Sequence, residues 1–153
     1  MPAIDQPAPD FTATGDGDSQ VTLSALRGQK VIVYFYPKDL TPGCTTQACA
    51  FRDLLPDFHQ ANAVVLGVSR DSPARHDKFK AKHDLNFALL ADEDGHLCHA
   101  YGVWVEKKNY GRSYMGIERS TFLIDEAGVI RQIWRKVRVK GHVEAVLAAT
   151  RQL

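Results

Sequence analysis

The segment Val31-Ile32-Val33-Tyr34-Phe35-Tyr36-Pro37-Lys38-Asp39-Leu40-Thr41-Pro42-Gly43-Cys44-Thr45-Thr46-Gln47-Ala48-Cys49 holds a strand, a turn and a helix start in direct succession. Its first six residues form an unbroken apolar and aromatic run, the pattern of a strand buried on both faces. Pro42 and Gly43 then break the run, and Cys44 stands where a helix begins. A thiol at a helix N-terminus faces backbone N–H groups that lack intrahelical acceptors. These favour the thiolate, which is the nucleophilic form. Cys44 is therefore the leading candidate for a reactive residue.

From Cys44 to about Gln60 the pattern is helical, with Cys44, Ala48, Phe51, Leu55 and Phe58 forming one apolar face. Cys44 points inward at the top of that stripe. Cys49 lies about 140° around the same helix, among Thr45, Arg52, Asp53 and Pro56, and leans toward solvent. Cα atoms five residues apart on a helix are roughly 8.7 Å from each other. A disulfide wants roughly 4.4–6.8 Å with converging Cβ vectors. The two thiols cannot bond while the helix is intact, so chemistry joining them must unwind its first turn or two. Pro56 weakens the helix downstream by removing a donor. The spacing excludes a CxxC redox pair, and no second ligand pair stands nearby for zinc.

Outward from this segment, Phe11 to Leu26 reads as a hairpin around the turn Gly15-Asp16-Gly17-Asp18-Ser19, which lacks the ligand pattern of a calcium loop. A strand is expected at Ala63–Ser69, a helix at Pro73–His83 and a short strand at Phe87–Leu90. The turn Asp92–Gly95 leads into a short helix around Leu97–Tyr101. Residues 105–116 read as a polar loop. Thr121–Asp125 and Val129–Trp134 read as a hairpin, and a helix from about His142 closes the chain. Strands alternating with helices predict an α/β domain with a mixed sheet covered on both faces, as a single domain over residues 1–153.

With 153 residues, 44% hydrophobic and 24% charged, the chain is long enough to bury a core. Nineteen Lys and Arg against 18 acids give no reason to expect nucleic acid or a membrane surface as partner. No apolar run approaches the roughly 20 residues that span a bilayer. Met1–Pro7 lacks the basic and apolar segments of a signal peptide, and three cysteines are too few for a disulfide scaffold. A cytoplasmic protein is expected. Cys98, in His96-Leu97-Cys98-His99, reads as an inert packing thiol. His59, His76, His83 and His142 read as solvated, Trp104 and Trp134 as core or rim aromatics, and Gln47 as either a pocket residue or a surface amide.

Pro37, Thr41 and Cys44 match the Pro-x-x-x-Thr-x-x-Cys motif of peroxiredoxins, and the string from Tyr34 to Cys49 resembles their bacterioferritin comigratory protein branch, also called peroxiredoxin Q. Leu40 departs from the Asn expected in many relatives. The resemblance implies a thioredoxin-like fold and the reduction of hydrogen peroxide and organic hydroperoxides. Cys44 is then the peroxidatic cysteine, which becomes a sulfenic acid. Thr41 offers its hydroxyl to thiolate and peroxide, Pro37 shields the sulfenic acid, and Arg119, in Glu118-Arg119-Ser120-Thr121-Phe122, supplies a guanidinium. With the backbone N–H groups of Gly43 and Cys44, Arg119 stabilises charge spreading over sulfur and oxygen in the transition state. By the same resemblance Cys49 is the resolving cysteine, forming an intramolecular disulfide with Cys44 that thioredoxin reduces. No flavin, haem or metal is required, and a monomer suffices. The sequence alone does not separate this enzyme from a redox sensor built on the same thiol.

Overall fold

In the computed structural model, which describes residues 2–153, alternate residues of strand β3 (Lys30–Phe35) enter two different cores. Val31, Val33 and Phe35 pack on one face with Leu97, Tyr101 and Phe122. Ile32, Tyr34 and Tyr36 pack on the other with Phe51, Phe58, Phe79 and Val146. This double burial explains why the run carries no polar residue. Each such aliphatic or aromatic side chain contributes about 1.5–3 kcal/mol on burial.

Around β3 the sheet holds seven strands. On one side β4 (Ala63–Ser69) and β5 (Ala88–Ala91) run parallel to β3. Then comes the N-terminal hairpin of β1 (Thr12–Gly15) and β2 (Gln20–Thr22), of which β1 pairs antiparallel with β5. On the other side β8 (Ser120–Ile124) and β9 (Ile130–Trp134) form the antiparallel hairpin expected near the C-terminus. Helix α1 (Pro42–Gln60) crosses from β3 to β4 and α2 (Pro73–His83) from β4 to β5. The short α3 (His96–Ala100) packs on the opposite face from α1 and from α4 (His142–Arg151).

Helix α1 runs through Pro56 without ending. Proline leaves the carbonyl four residues earlier without its intrahelical donor, and here the Asn86 side-chain amide donates to the Arg52 carbonyl at 3.3 Å.

Three sequence expectations fail, each for a physical reason. Residues 105–116 are not a loop: β6 (Trp104–Asn109) and β7 (Arg112–Ile117) pair in register as a separate hairpin. Tyr110 and Gly111 both take positive φ, 51° and 75°, as a tight two-residue hairpin turn requires. The strands look like loop because most of their residues stay wet. His76 and His142 are buried rather than solvated. His142 Nε2 lies 2.8 Å from Thr121 Oγ1, and its ring packs edge-on against Trp134. Burial, and then the positive charge of Arg119, push His142 from 6.5 down to about 4.

That shift has a sign. In the unfolded chain His142 titrates near its ordinary value, so between pH 6.5 and about 4 the unfolded state binds the extra proton. Stability is unaffected above the unfolded value and falls as pH drops through this window. Urea unfolding at pH 7 and pH 4.5 should show wild type losing about 2–3 kcal/mol more than His142→Gln. Equal losses in both proteins would contradict the assignment.

Candidate functional site

Strand β3 ends at Phe35, which pairs with Ser120, the first residue of β8. The chain leaving β3 and the chain entering β8 therefore meet at the same end of two neighbouring interior strands. The first leads through Pro37–Thr41 into α1, and the second carries Arg119 immediately before β8. This register brings residues 75 positions apart into contact: Arg119 Nη2 donates to Cys44 Sγ at 3.3 Å.

Cys44 is 2% exposed and sits in the first turn of α1, two residues after Pro42 at the helix start. Proline suits the first helical position because the N–H it lacks would be unpaired there. The helix thus begins two residues earlier than its apolar stripe suggested, and the Gly43 and Cys44 N–H groups fall among those without intrahelical acceptors. Gly43 also lies directly beside Arg119. A Cβ on it would stand 3.4 Å from Arg119 Nη2, in van der Waals contact with the guanidinium.

Thr41 precedes the helix. Its hydroxyl donates to the Lys38 carbonyl at 2.7 Å and does not cap the helix. The oxygen keeps lone pairs for a second partner. Pro37 is exposed at the rim, where it borders a groove of about 390 Å³. Arg70, Trp104, Lys107 and Met115 also line that groove, and the Arg70 guanidinium lies 4.7 Å over the Trp104 ring. Burial lowers the pKa of the Lys107 ammonium and Arg119 lowers it further, while Cys44 opposes both. Lys107 is thus a cation near the sulfur that the loop reading of this segment concealed.

Gln47 is fully buried rather than a surface amide. Its Oε1 accepts from Arg119 Nη1 at 2.6 Å, so one turn of α1 presents both partners of the guanidinium. A fork with two N–H groups held this way has little freedom to turn from the sulfur. Cys49 is half-buried, and all three cysteines are free thiols. Cys98, on α3, is buried in the core, and desolvation, followed by the Asp92 carboxylate, pushes its thiol far up. It is held protonated and unreactive.

Asp92, Asp94 and His96 come close enough to suggest a metal site. Asp92 is engaged elsewhere, accepting from the Leu97 and Cys98 N–H groups, while Asp94 and the His96 ring contact each other at 2.6 Å. No helix among the described residues is long and apolar enough to cross a membrane.

Comparison with known proteins identifies the family to which this fold belongs. The model of the AhpC/TSA family matches residues 4–133. Peroxiredoxin Bcp of Bacillus subtilis (strain 168) is 51% identical over 150 residues, covering 98% of this chain and 96% of that one. The bacterioferritin comigratory protein of Xanthomonas campestris, whose structures address alkyl peroxide reduction, superposes with a TM-score of 0.92 at 47% identity, covering 99% and 98%. A cysteine-to-serine variant of PrxQ from Xylella fastidiosa gives 0.95 at 43% identity, covering 99% and 97%. At this identity and coverage the chain belongs to the AhpC/TSA family, as a thiol peroxidase of the peroxiredoxin Bcp (PrxQ) type on a thioredoxin-like fold.

Proposed function

We propose that Cys44, as thiolate, attacks the terminal oxygen of hydrogen peroxide or an organic hydroperoxide. The S–O bond forms as the O–O bond breaks, leaving Cys44 sulfenic acid and, after proton uptake, water or an alcohol. Arg119 and the Gly43 and Cys44 N–H groups stabilise the charge that develops on sulfur and oxygen. Thr41 Oγ1, its own proton committed to Lys38, accepts from the peroxide O–H. Pro37 screens the sulfenic acid from solvent.

Cys49 then attacks the Cys44 sulfenic acid, giving an intramolecular disulfide and releasing water. A dithiol reductant of the thioredoxin type restores both thiols. The chain acts as one domain over residues 1–153, as a monomer and in the cytoplasm. The observation that carries the reading is the 3.3 Å contact between Arg119 Nη2 and Cys44 Sγ.

Disulfide mapping by mass spectrometry after one equivalent of hydrogen peroxide should find Cys44 linked to Cys49 and the bond reducible by thioredoxin. A link from Cys44 to Cys98, or between chains, would overturn the resolving step. An unoxidised Cys44 would overturn the whole reading. Arg119→Gln should slow Cys44 oxidation in stopped-flow experiments by about 10²–10³-fold with its circular dichroism unchanged; a rate within about twofold of wild type would remove Arg119 from the mechanism.

A further inference from the structure

Outside the reacting groups, the loop between β3 and α1 is held by a buried polar network centred on Asp39, which is 1% exposed. All four of its hydrogen-bonding groups are engaged. Oδ1 accepts from the Tyr36 hydroxyl at 2.5 Å, and Oδ2 lies 2.6 Å from His76 Nδ1. Its N–H donates to Asp71 Oδ2 at 2.8 Å, and its carbonyl accepts from Arg75 Nη2 at 3.1 Å. Asp71 also accepts from the Ser69 hydroxyl and from Arg75 Nε. The other ring nitrogen of the fully buried His76 lies 2.9 Å from the Leu90 carbonyl. Helix α2 and strand β5, which hold no reacting group, thereby grip the catalytic loop.

The protonation state follows from the partners. A carbonyl only accepts, so His76 Nε2 carries hydrogen. Nδ1 faces a carboxylate, and a charge-assisted hydrogen bond at 2.6 Å suits an imidazolium. Burial opposes the charged ring, but the hydrogen bond and negative charge of Asp39, with Asp71 adding to them, leave His76 above its ordinary value. The Arg75 guanidinium is occupied by Asp71 and the Asp39 carbonyl.

What this grip holds is a strained turn. Leu40, next to Asp39, takes φ of 64°, a left-handed conformation costing a residue with a Cβ roughly 1–2 kcal/mol. Such strain persists only where the surroundings over-determine the backbone. Thr41, Pro42, Gly43 and Cys44 follow at once, so the turn decides where α1 starts and where the sulfur sits relative to Arg119. We propose that His76 is a positioning residue of the peroxidase reaction: through Asp39 it clamps the Lys38–Thr41 turn and keeps the first turn of α1 wound. This rests on Cys44 being the reacting thiol. The two steps of the cycle make opposite demands on that turn. Oxidation needs it formed, and disulfide formation with Cys49 needs it open. Weakening the clamp slows the first step and speeds the second.

Single-turnover stopped-flow kinetics with hydrogen peroxide separate the two steps. His76→Gln should lower the second-order constant for Cys44 oxidation about tenfold, a barrier change of about 1.4 kcal/mol, and raise the first-order constant for disulfide formation. Tyr36→Phe removes one of the four Asp39 bonds and should move both constants the same way by a smaller factor. Ile130→Ala, a buried β9 change in the core on the opposite face of the sheet, controls for loss of stability and should leave their ratio unchanged. Unchanged constants in folded His76→Gln, or a ratio that moves equally in the control, would overturn the proposal. If His76→Gln does not fold, Tyr36→Phe and the ring nitrogen NMR shifts of wild type decide. Both His76 nitrogens should be protonated at pH 7, and a neutral ring overturns the clamp. Failure of Cys44 to oxidise in wild type would refute the enzyme itself, whereas equal rates in wild type and variants would refute only the role of His76.

Discussion

A wound α-helix cannot carry a disulfide between residues five apart, and much of this molecule is arranged around that constraint. With α1 wound, Cys44 lies under Arg119 and Gln47 holds the guanidinium in place. With its first turn open, the sulfur can travel toward Cys49 but leaves the guanidinium behind. Reaction with peroxide and reaction with Cys49 are mutually exclusive states of one short segment. Peroxidase turnover through these two thiols is therefore also a cycle of local unfolding and refolding.

The scaffold confines that change. Cys44 and Arg119 enter the site from adjacent strands whose register is fixed at Phe35 and Ser120, so the sheet need not move when the helix start does. Beyond the first turns, Phe51, Leu55 and Phe58 anchor α1 in the core shared with Tyr34 and Val146. The Arg52 carbonyl freed by Pro56 is satisfied by Asn86, which offsets part of what the proline costs the lower helix. The upstream turn is gripped through Asp39 and carries the unfavourable backbone of Leu40. Asn tolerates positive φ better than Leu, which gives a physical reason why Asn would suit this position.

Much of the fold was legible because its strands and helices carry strong periodic signals. The run Val31–Tyr36 could only be a strand covered on both faces, and the stripe from Cys44 to Phe58 could only be one face of a helix. The hairpin β6–β7 was not legible, since residues such as Glu106, Lys108 and Ser113 stay in water and only Ile117 of its two strands is buried. Local pattern placed Cys44 by itself. Arg119 came from family resemblance, because its contact with Cys44 depends on strand register and not on spacing along the chain. Asp39 and His76 escaped, and Gln47 stayed undecided between pocket and surface, for the same reason: a polar residue is buried only where a distant partner satisfies it, and the Asp39–His76 pair spans 37 positions. His142 was hidden likewise by Thr121.

Amide hydrogen exchange across residues 41–50, compared between the reduced protein and the protein oxidised with one equivalent of hydrogen peroxide, tests the central claim most directly. The account predicts protected amides through the first turns of α1 in the reduced form and loss of that protection on oxidation, with residues 51–60 and β3 unchanged. Protection that survives in a protein shown to hold the Cys44–Cys49 disulfide would contradict it.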